Sequence, residues 1–111
     1  MEIKIDLGKF KDQIKYEETV KYETRNVVVH YFIAPKELLD DKYPEAEHAC
    51  LMFEDYLDYE TGLEYRAALS PTKDGEDYDW TDIDISIHDA YYLTKLAYLR
   101  WRNDEQPDEF I

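Results

Sequence analysis

The side chains with the most chemical capability in this chain are carboxylates, concentrated in residues 74–89. Seven of these 16 residues are acidic, and Tyr78 and Trp80 lie among them. Carboxylates ligate calcium or magnesium, or form ion pairs with a basic partner. The spacing fails the EF-hand template, because Gly75 directly follows the first acid and does not stand sixth. The pattern predicts neither a metal site nor a cofactor, and it leaves a partner-binding face or a solvated face.

Arrangements typical of enzymes are missing. The chain has three glycines, and it contains neither a glycine-rich phosphate loop nor a Gly-x-Ser-x-Gly elbow. His30, His48 and His88 are scattered over different elements, and no pair of Cys or His residues has zinc-ligand spacing. We therefore expect no enzyme activity, and we expect Cys50, the single cysteine, to be a buried structural thiol.

The negative charge is distributed unevenly along the chain. Residues 43–111 hold 18 acidic and five basic residues, whereas residues 1–42 hold nine and eight, within a formal net charge of -14. Such a surface is most easily understood if it meets a positive partner. Five minus 18 gives -13, which would match roughly 22 Å of duplex DNA if all of it faced one way. Direct nucleic-acid binding is disfavoured, because the N-terminal lysines have acids nearby.

Length and composition predict one domain. The 111 residues suffice for a single core, and a hydrophobic content of 44% with 15% aromatics argues against disorder. The sequence shows no membrane-spanning run and no secretory signal, so we expect a soluble, cytoplasmic protein. Residues 104–111 are predicted to be a frayed acidic tail.

Alternation of apolar and polar residues predicts several strands. The pattern indicates strands at residues 2–7, 16–24 and 82–87. Residues 27–33 are apolar on both faces, which favours a central strand. Residues 36–42 form a short helix or an irregular loop after Pro35, and residues 70–75 have the composition of a loop.

Residues 44–62 fit two structures. As a helix, the segment would begin near Pro44 and end at Gly62, with an apolar stripe between them. As a strand, residues 51–57 would lead into a hairpin loop at residues 58–62 and a return strand at residues 63–69. We favour the hairpin, because it explains both sides of the glycine.

A helix is predicted at residues 87–103. Ser86 would be its N-cap, and Asp89 would complete a capping box. Its inward side is predicted to carry Ile87, Ala90, Tyr91, Ala97, Tyr98 and Trp101, with Leu93 and Leu96 widening it and His88, Tyr92, Lys95, Leu99 and Arg102 at the wet edge. The predicted fold class is α+β, a mainly antiparallel sheet of five to six strands with a C-terminal helix packed on it.

Size, acidity and the tyrosine-rich acidic segments at residues 54–60 and 76–80 resemble a functional class. They are similar to the small phage- and plasmid-encoded inhibitors of restriction and CRISPR nucleases that act as DNA mimics. The resemblance implies a basic nucleic-acid-binding partner, such as a nuclease, in a bacterial cytoplasm. It implies no fold. The residues that would replace phosphates are Glu54, Asp55, Asp58, Glu60, Glu64, Asp74, Glu76, Asp77, Asp79, Asp82 and Asp84, with Tyr56, Tyr78 and Trp80 as apolar anchors.

Two other hypotheses stay open. The chain could be a small acidic immunity or regulatory protein that neutralises one basic partner without tracing a duplex. Alternatively, it could be an interaction domain that forms a homodimer through the apolar face of residues 87–101, with its charge serving solubility.

Overall fold

The computed structural model describes residues 3–56 and 64–103. Seven strands lie in the described part: β1 Ile3–Lys4, β2 Lys15–Tyr22, β3 Val27–Ala34, β4 His48–Tyr56, β5 Glu64–Lys73, β6 Glu76–Asp77 and β7 Thr81–Asp84. They are followed by one α-helix, α1, at Ile87–Asn103. Three 3-10 helices connect strands, at Gly8–Gln13, Glu23–Arg25 and Lys36–Lys42.

The strands form one sheet in the order β1-β7-β5-β4-β3-β2, with β6 beside β5. All pairings are antiparallel except that of β1 with β7. The predicted α+β class, with a mostly antiparallel sheet and a C-terminal helix packed on it, is confirmed. β3 lies between β2 and β4, so its two-sided apolar sequence suits an interior position.

The choice at residues 44–62 is decided in favour of a strand. β4 pairs with β5 along its whole length and with β3 from Ala49 to Tyr56, and Ala49, Leu51 and Phe53 alternate into the core. The strand wins because these three residues share one face only with a two-residue period. The predicted hairpin loop at residues 58–62 lies outside the described residues.

The loop prediction for residues 70–75 is wrong in its first part, because β5 continues to Lys73. On one side of β5, the pairing with β7 ends at Leu69 and the pairing with β6 begins at Thr72. Pro71 falls between these two ladders, and its carbonyl accepts a hydrogen bond from the backbone N–H of Tyr78 at 3.1 Å. A proline is tolerated where the ladder needs no N–H from it.

Other predicted boundaries also shift. Within the described residues, the strand expected at residues 2–7 covers only Ile3–Lys4; the 3-10 helix begins at Gly8, and Leu7 turns into the core. The second strand ends at Tyr22 and not at residue 24, and the strand expected at residues 82–87 ends at Asp84.

Helix α1 covers one face of the sheet with a narrower stripe than predicted. Ala90, Leu93 and Ala97 are fully buried, at spacings of three and four residues. Ile87 and Tyr91, predicted to face inward, are 47% and 56% exposed. Their i, i+4 positions lie to one side of the buried stripe, so the sheet does not reach them.

Asp89 connects the helix to the beginning of the chain. Ser86 Oγ accepts a hydrogen bond from the Asp89 N–H at 3.1 Å, which confirms the predicted N-cap. The buried Asp89 carboxylate does not form the capping box as predicted, because it accepts a hydrogen bond from the Leu7 N–H at 3.0 Å. Its other oxygen lies 3.8 Å from Lys11 Nζ.

Replacing Asp89 should therefore destabilise the fold. Asp89→Ala leaves the buried Leu7 N–H without its acceptor, and we expect a loss of about 2 kcal/mol in the free energy of unfolding, measured in urea. Asp89→Asn keeps an acceptor oxygen and should lose less. Equal stability of Asp89→Ala and the unchanged protein would contradict this role.

Candidate partner-binding surface

The first part of the acidic segment predicted at residues 74–89 connects β5 through β6 to β7. Asp74, Gly75 and Asp79 have positive φ angles of 56°, 80° and 57°. Glycine adopts this conformation freely, and aspartate tolerates it better than most residues. These three residues allow the chain to reverse tightly on both sides of the two-residue strand β6.

Hydrogen bonds hold this segment against the residues that precede β4. The Tyr78 hydroxyl donates to Glu45 Oε1 at 2.7 Å, and the Asp74 N–H donates to Glu47 Oε1 at 2.8 Å. The Tyr43 hydroxyl donates to Asp79 Oδ2. The rings of Tyr43 and Tyr78 meet edge to face at 6.0 Å. The two segments therefore form one supported surface.

We call this surface the acidic end. It consists of six exposed carboxylates: Glu45, Glu47, Asp74, Glu76, Asp77 and Asp79. Two lysines adjoin them, since Lys73 lowers the pKa of Glu45 and Lys42 lines a pocket together with Asp79. The surface is strongly negative because the acids outnumber these lysines by three to one.

The tyrosines of the acidic end favour ionised carboxylates. The hydrogen bond from Tyr78 is the first cause that lowers the pKa of Glu45, and the same bond raises the pKa of Tyr78 to about 12. The bond to Asp79 raises the pKa of Tyr43. Each phenol remains a donor at neutral pH, so it stabilises the negative charge of its partner.

Negative charge continues from the acidic end toward β2. The Asp77 carboxylate accepts a hydrogen bond from Thr72 Oγ1 at 2.6 Å. Partial burial raises the pKa of Glu17, and the charges of Glu18 and Asp77 raise it further. Glu17 therefore lies close enough to Asp77 for the two negative charges to repel each other.

Cys50 lies within this charged region and is buried, as predicted. Burial raises the pKa of its thiol to about 12, and the negative charges of Asp77 and Glu17 contribute to the rise. A thiol that is not ionised at neutral pH is a poor nucleophile, which agrees with a structural role.

Sequence reasoning missed several residues of this region: Glu17, Tyr43, Glu45 and Glu47. His48 at the start of β4 pairs with Thr72 near the end of β5. In an antiparallel pair, the residues before one strand adjoin those after the other, so Glu47 must lie beside Asp74. The predicted hairpin already implied that Glu47 lies beside Asp74. The position of Glu17 near this region follows only from the order of the strands in the sheet.

A second set of predicted residues lies on the sheet face opposite the core: Glu54, Tyr56, Glu64, Asp82 and Asp84. The Tyr56 hydroxyl donates to Glu54 at 2.6 Å, and Arg66 forms an ion pair with Asp82 at 3.3 Å. Glu54 lies six positions after His48 along β4, which is about 20 Å of strand. The predicted site therefore divides into two groups.

Three other predicted carboxylates are not assigned to either group. Asp55 is only 8% exposed and shares the core-side face of β4 with Phe53, and burial raises its pKa. Its predicted role as an exposed stand-in for phosphate is corrected, because the two-residue period turns it inward. Asp58 and Glu60 lie outside the described residues. Trp80 is 42% exposed, next to Asp79.

Comparison with known protein families, curated proteins and solved structures gave no match. Within residues 3–56 and 64–103, no three His, Cys, Asp or Glu side chains are grouped so that they could hold a metal ion. No helix in the same part of the chain has the length and apolar character needed to cross a membrane. The arrangement of the acidic end suits ion pairing with a basic surface.

Proposed function

We propose that this protein inhibits a bacterial defence nuclease, of the restriction or CRISPR type, by occupying its nucleic-acid-binding surface as a DNA mimic in the host cytoplasm. One observation carries the proposal. Six exposed carboxylates from two separate segments meet at the acidic end, and hydrogen bonds from Tyr43 to Asp79 and from Tyr78 to Glu45 join the two segments. A basic groove that binds phosphates offers the complementary charge.

The supported geometry favours binding over a merely solvated surface. A partner that binds flexible acidic side chains must first order them, which reduces affinity. At the acidic end, Glu45, Glu47, Asp77 and Asp79 already accept hydrogen bonds within the protein. These four side chains lose less conformational freedom when a partner binds, so more of the electrostatic attraction contributes to the affinity.

The spacing of the charges also suits a groove that binds DNA. Outward residues of one strand recur about every 6.6 Å, whereas duplex DNA carries a charge about every 1.7 Å of its axis. One strand is too sparse, but the acidic end combines carboxylates from β6 and the segments beside β4 and β7. Exposed Trp80 adds an aromatic side chain of the kind that is enriched in binding hot spots.

The experiment is a competition between this protein and DNA. Purified restriction and CRISPR nucleases are immobilised, the protein is added, and a 20-base-pair duplex substrate is titrated at several salt concentrations. We expect the duplex and the protein to displace each other, with binding that weakens as salt rises. Binding that persists with saturating DNA would overturn the mimic. A basic partner that binds no nucleic acid would favour an immunity or regulatory protein.

Helix α1 supports a second candidate, an interaction domain that forms a homodimer. Ile87, Tyr91 and Leu99 are large apolar side chains, and all three are at least 47% exposed. Exposed apolar groups on one helix are typical of a surface that another chain covers. Light scattering at increasing protein concentration tests this candidate, with Tyr91→Lys as the variant that should prevent association.

A further inference from the structure

A small apolar pocket lies beside the acidic end, between β1, β5, β7 and the 3-10 helix at Lys36–Lys42. Its volume is about 60 Å³, and its apolar wall contains Ile5, Leu38, Leu39, Leu69, Pro71 and Ile83. A water molecule takes up roughly 30 Å³ in the liquid, so the space would hold about two. Few polar atoms on this wall could bind them, and an apolar group would displace such water favourably.

The polar residues of the pocket belong to its surface side. Asp79, Thr81 and Lys42 line it and are exposed, so the pocket opens to solvent next to the acidic end. Tyr43 also lines it, and its hydroxyl donates a hydrogen bond to Asp79. The hydrogen bond from Tyr43 to Asp79 therefore supports the wall of the pocket and also orders one carboxylate of the acidic end.

We propose that this pocket takes one aliphatic side chain, of leucine or isoleucine, from a partner segment in which basic residues flank it. The inference rests on the proposed function, because it names the apolar anchor of the same interface. Binding interfaces commonly place an aliphatic or aromatic anchor in a pocket and surround it with a polar rim. The pocket with its acidic surroundings has this arrangement.

Charge complementarity selects the flanking residues. Asp79 is at the mouth, and the five other carboxylates of the acidic end extend from it. Lys42 and Lys73 are the adjoining cations, so the potential around the mouth stays negative. An aliphatic residue flanked by acids would be repelled, whereas one flanked by arginines would be attracted. The volume is well below the roughly 150 Å³ of a cavity that holds benzene, so only the branched end of the aliphatic side chain enters, and the rest of it stays at the open mouth.

Three short peptides test the pocket directly. We would add acetyl-Arg-Leu-Arg-amide to the isotope-labelled protein and follow the backbone amide signals of Leu39, Leu69 and Thr81 by NMR. Acetyl-Arg-Gly-Arg-amide keeps the charge without the aliphatic group, and acetyl-Glu-Leu-Glu-amide reverses the charge. We expect the leucine peptide with arginines to bind at least about tenfold more tightly than either control. Equal binding of the glycine peptide would overturn the inference.

A plugged pocket provides the second test, on the whole interface. Thr81→Phe should fill the mouth, and Thr24→Phe is the matched control, because it adds the same ring at an exposed position outside the pocket. Thr81→Phe should abolish the shifts caused by the leucine peptide and weaken binding to the nuclease about tenfold, while Thr24→Phe preserves both. If Thr81→Phe fails to fold, the binding of the three peptides to the unchanged protein still decides whether the pocket takes the leucine side chain.

The results separate this inference from the proposed function. If Thr81→Phe binds the nuclease as well as the unchanged protein does, the pocket is not the anchor, although the DNA mimic stands. If no nuclease competes with DNA but the arginine-flanked leucine peptide still binds selectively, the pocket is supported and the DNA mimic fails.

Discussion

Neutralising four carboxylates of the acidic end should weaken binding to the nuclease about 100-fold. The variant carries Glu45→Gln, Glu47→Gln, Glu76→Gln and Asp79→Asn, which changes the formal net charge from -14 to -10. Exposed ion pairs contribute up to about 1 kcal/mol each, and a factor of 100 corresponds to about 2.7 kcal/mol over four pairs. Amides keep the acceptor oxygens for Tyr43, Tyr78 and Asp74, so the fold should be retained. Isothermal titration calorimetry at fixed salt gives both affinities.

A matched control separates location from total charge. Asp6→Asn, Asp12→Asn, Glu23→Gln and Glu37→Gln also bring the net charge to -10, and all four residues are exposed outside the acidic end. This variant should lose only a few-fold in affinity, through the weaker long-range field. Equal losses in the two variants would show that total charge, and not the acidic end, drives binding.

A third variant tests the other predicted group. Glu54→Gln, Glu64→Gln, Asp82→Asn and Asp84→Asn remove the same charge from the sheet face opposite the core. If this variant loses as much affinity as the acidic-end variant, the interface includes both groups. A loss confined to this variant would move the interface to the sheet face and contradict the acidic end.

The second large effect is on stability at mildly acidic pH and comes from His30. Its side chain is fully buried between Phe53, at 6.4 Å between ring centres, and Tyr98, at 5.3 Å. Nδ1 lies 2.8 Å from Thr19 Oγ1. Burial lowers the pKa of His30 to about 4, compared with about 6.5 for histidine in an unfolded chain.

The sign of the pH dependence follows from these two pKa values. Between about pH 6.5 and pH 4, His30 is protonated in the unfolded chain but stays neutral in the folded protein. The stabilising contribution is therefore complete above pH 6.5 and is lost as the pH falls toward 4. The expected loss from this residue is about 3 kcal/mol in the free energy of unfolding.

His30→Gln isolates that contribution, because glutamine does not titrate and can still hydrogen-bond to Thr19. Urea unfolding at intervals from pH 7 to pH 4 gives the free energy for both proteins. The carboxylates titrate in both, including Asp55, whose raised pKa acts in the opposite direction. The difference between the two curves should thus shrink by about 3 kcal/mol toward pH 4. Parallel curves would show that His30 binds its proton equally well in the folded and unfolded states.

Several elements could be predicted because their signals are local. Ala49, Leu51 and Phe53 alternate along β4, and Ser86 caps α1 within one turn. Each signal depends only on the geometry of its own strand or helix turn. The alternation did not predict where each strand ends. β5 continues past Pro71 because its pairing with β7 stops before this residue and its pairing with β6 begins after it.

The sequence by itself determined the amount of negative charge, its concentration after residue 43, the α+β class and the helix at Ile87–Asn103. Tertiary structure decided which carboxylates share a surface: it brought Glu45 beside Tyr78 and placed Glu17 within reach of the charge of Asp77. It also left Ile87 and Tyr91 outside the core. The physical reason is range. Composition and periodicity are properties of neighbouring residues, whereas a surface depends on strand register and sheet order, which join residues far apart in the chain.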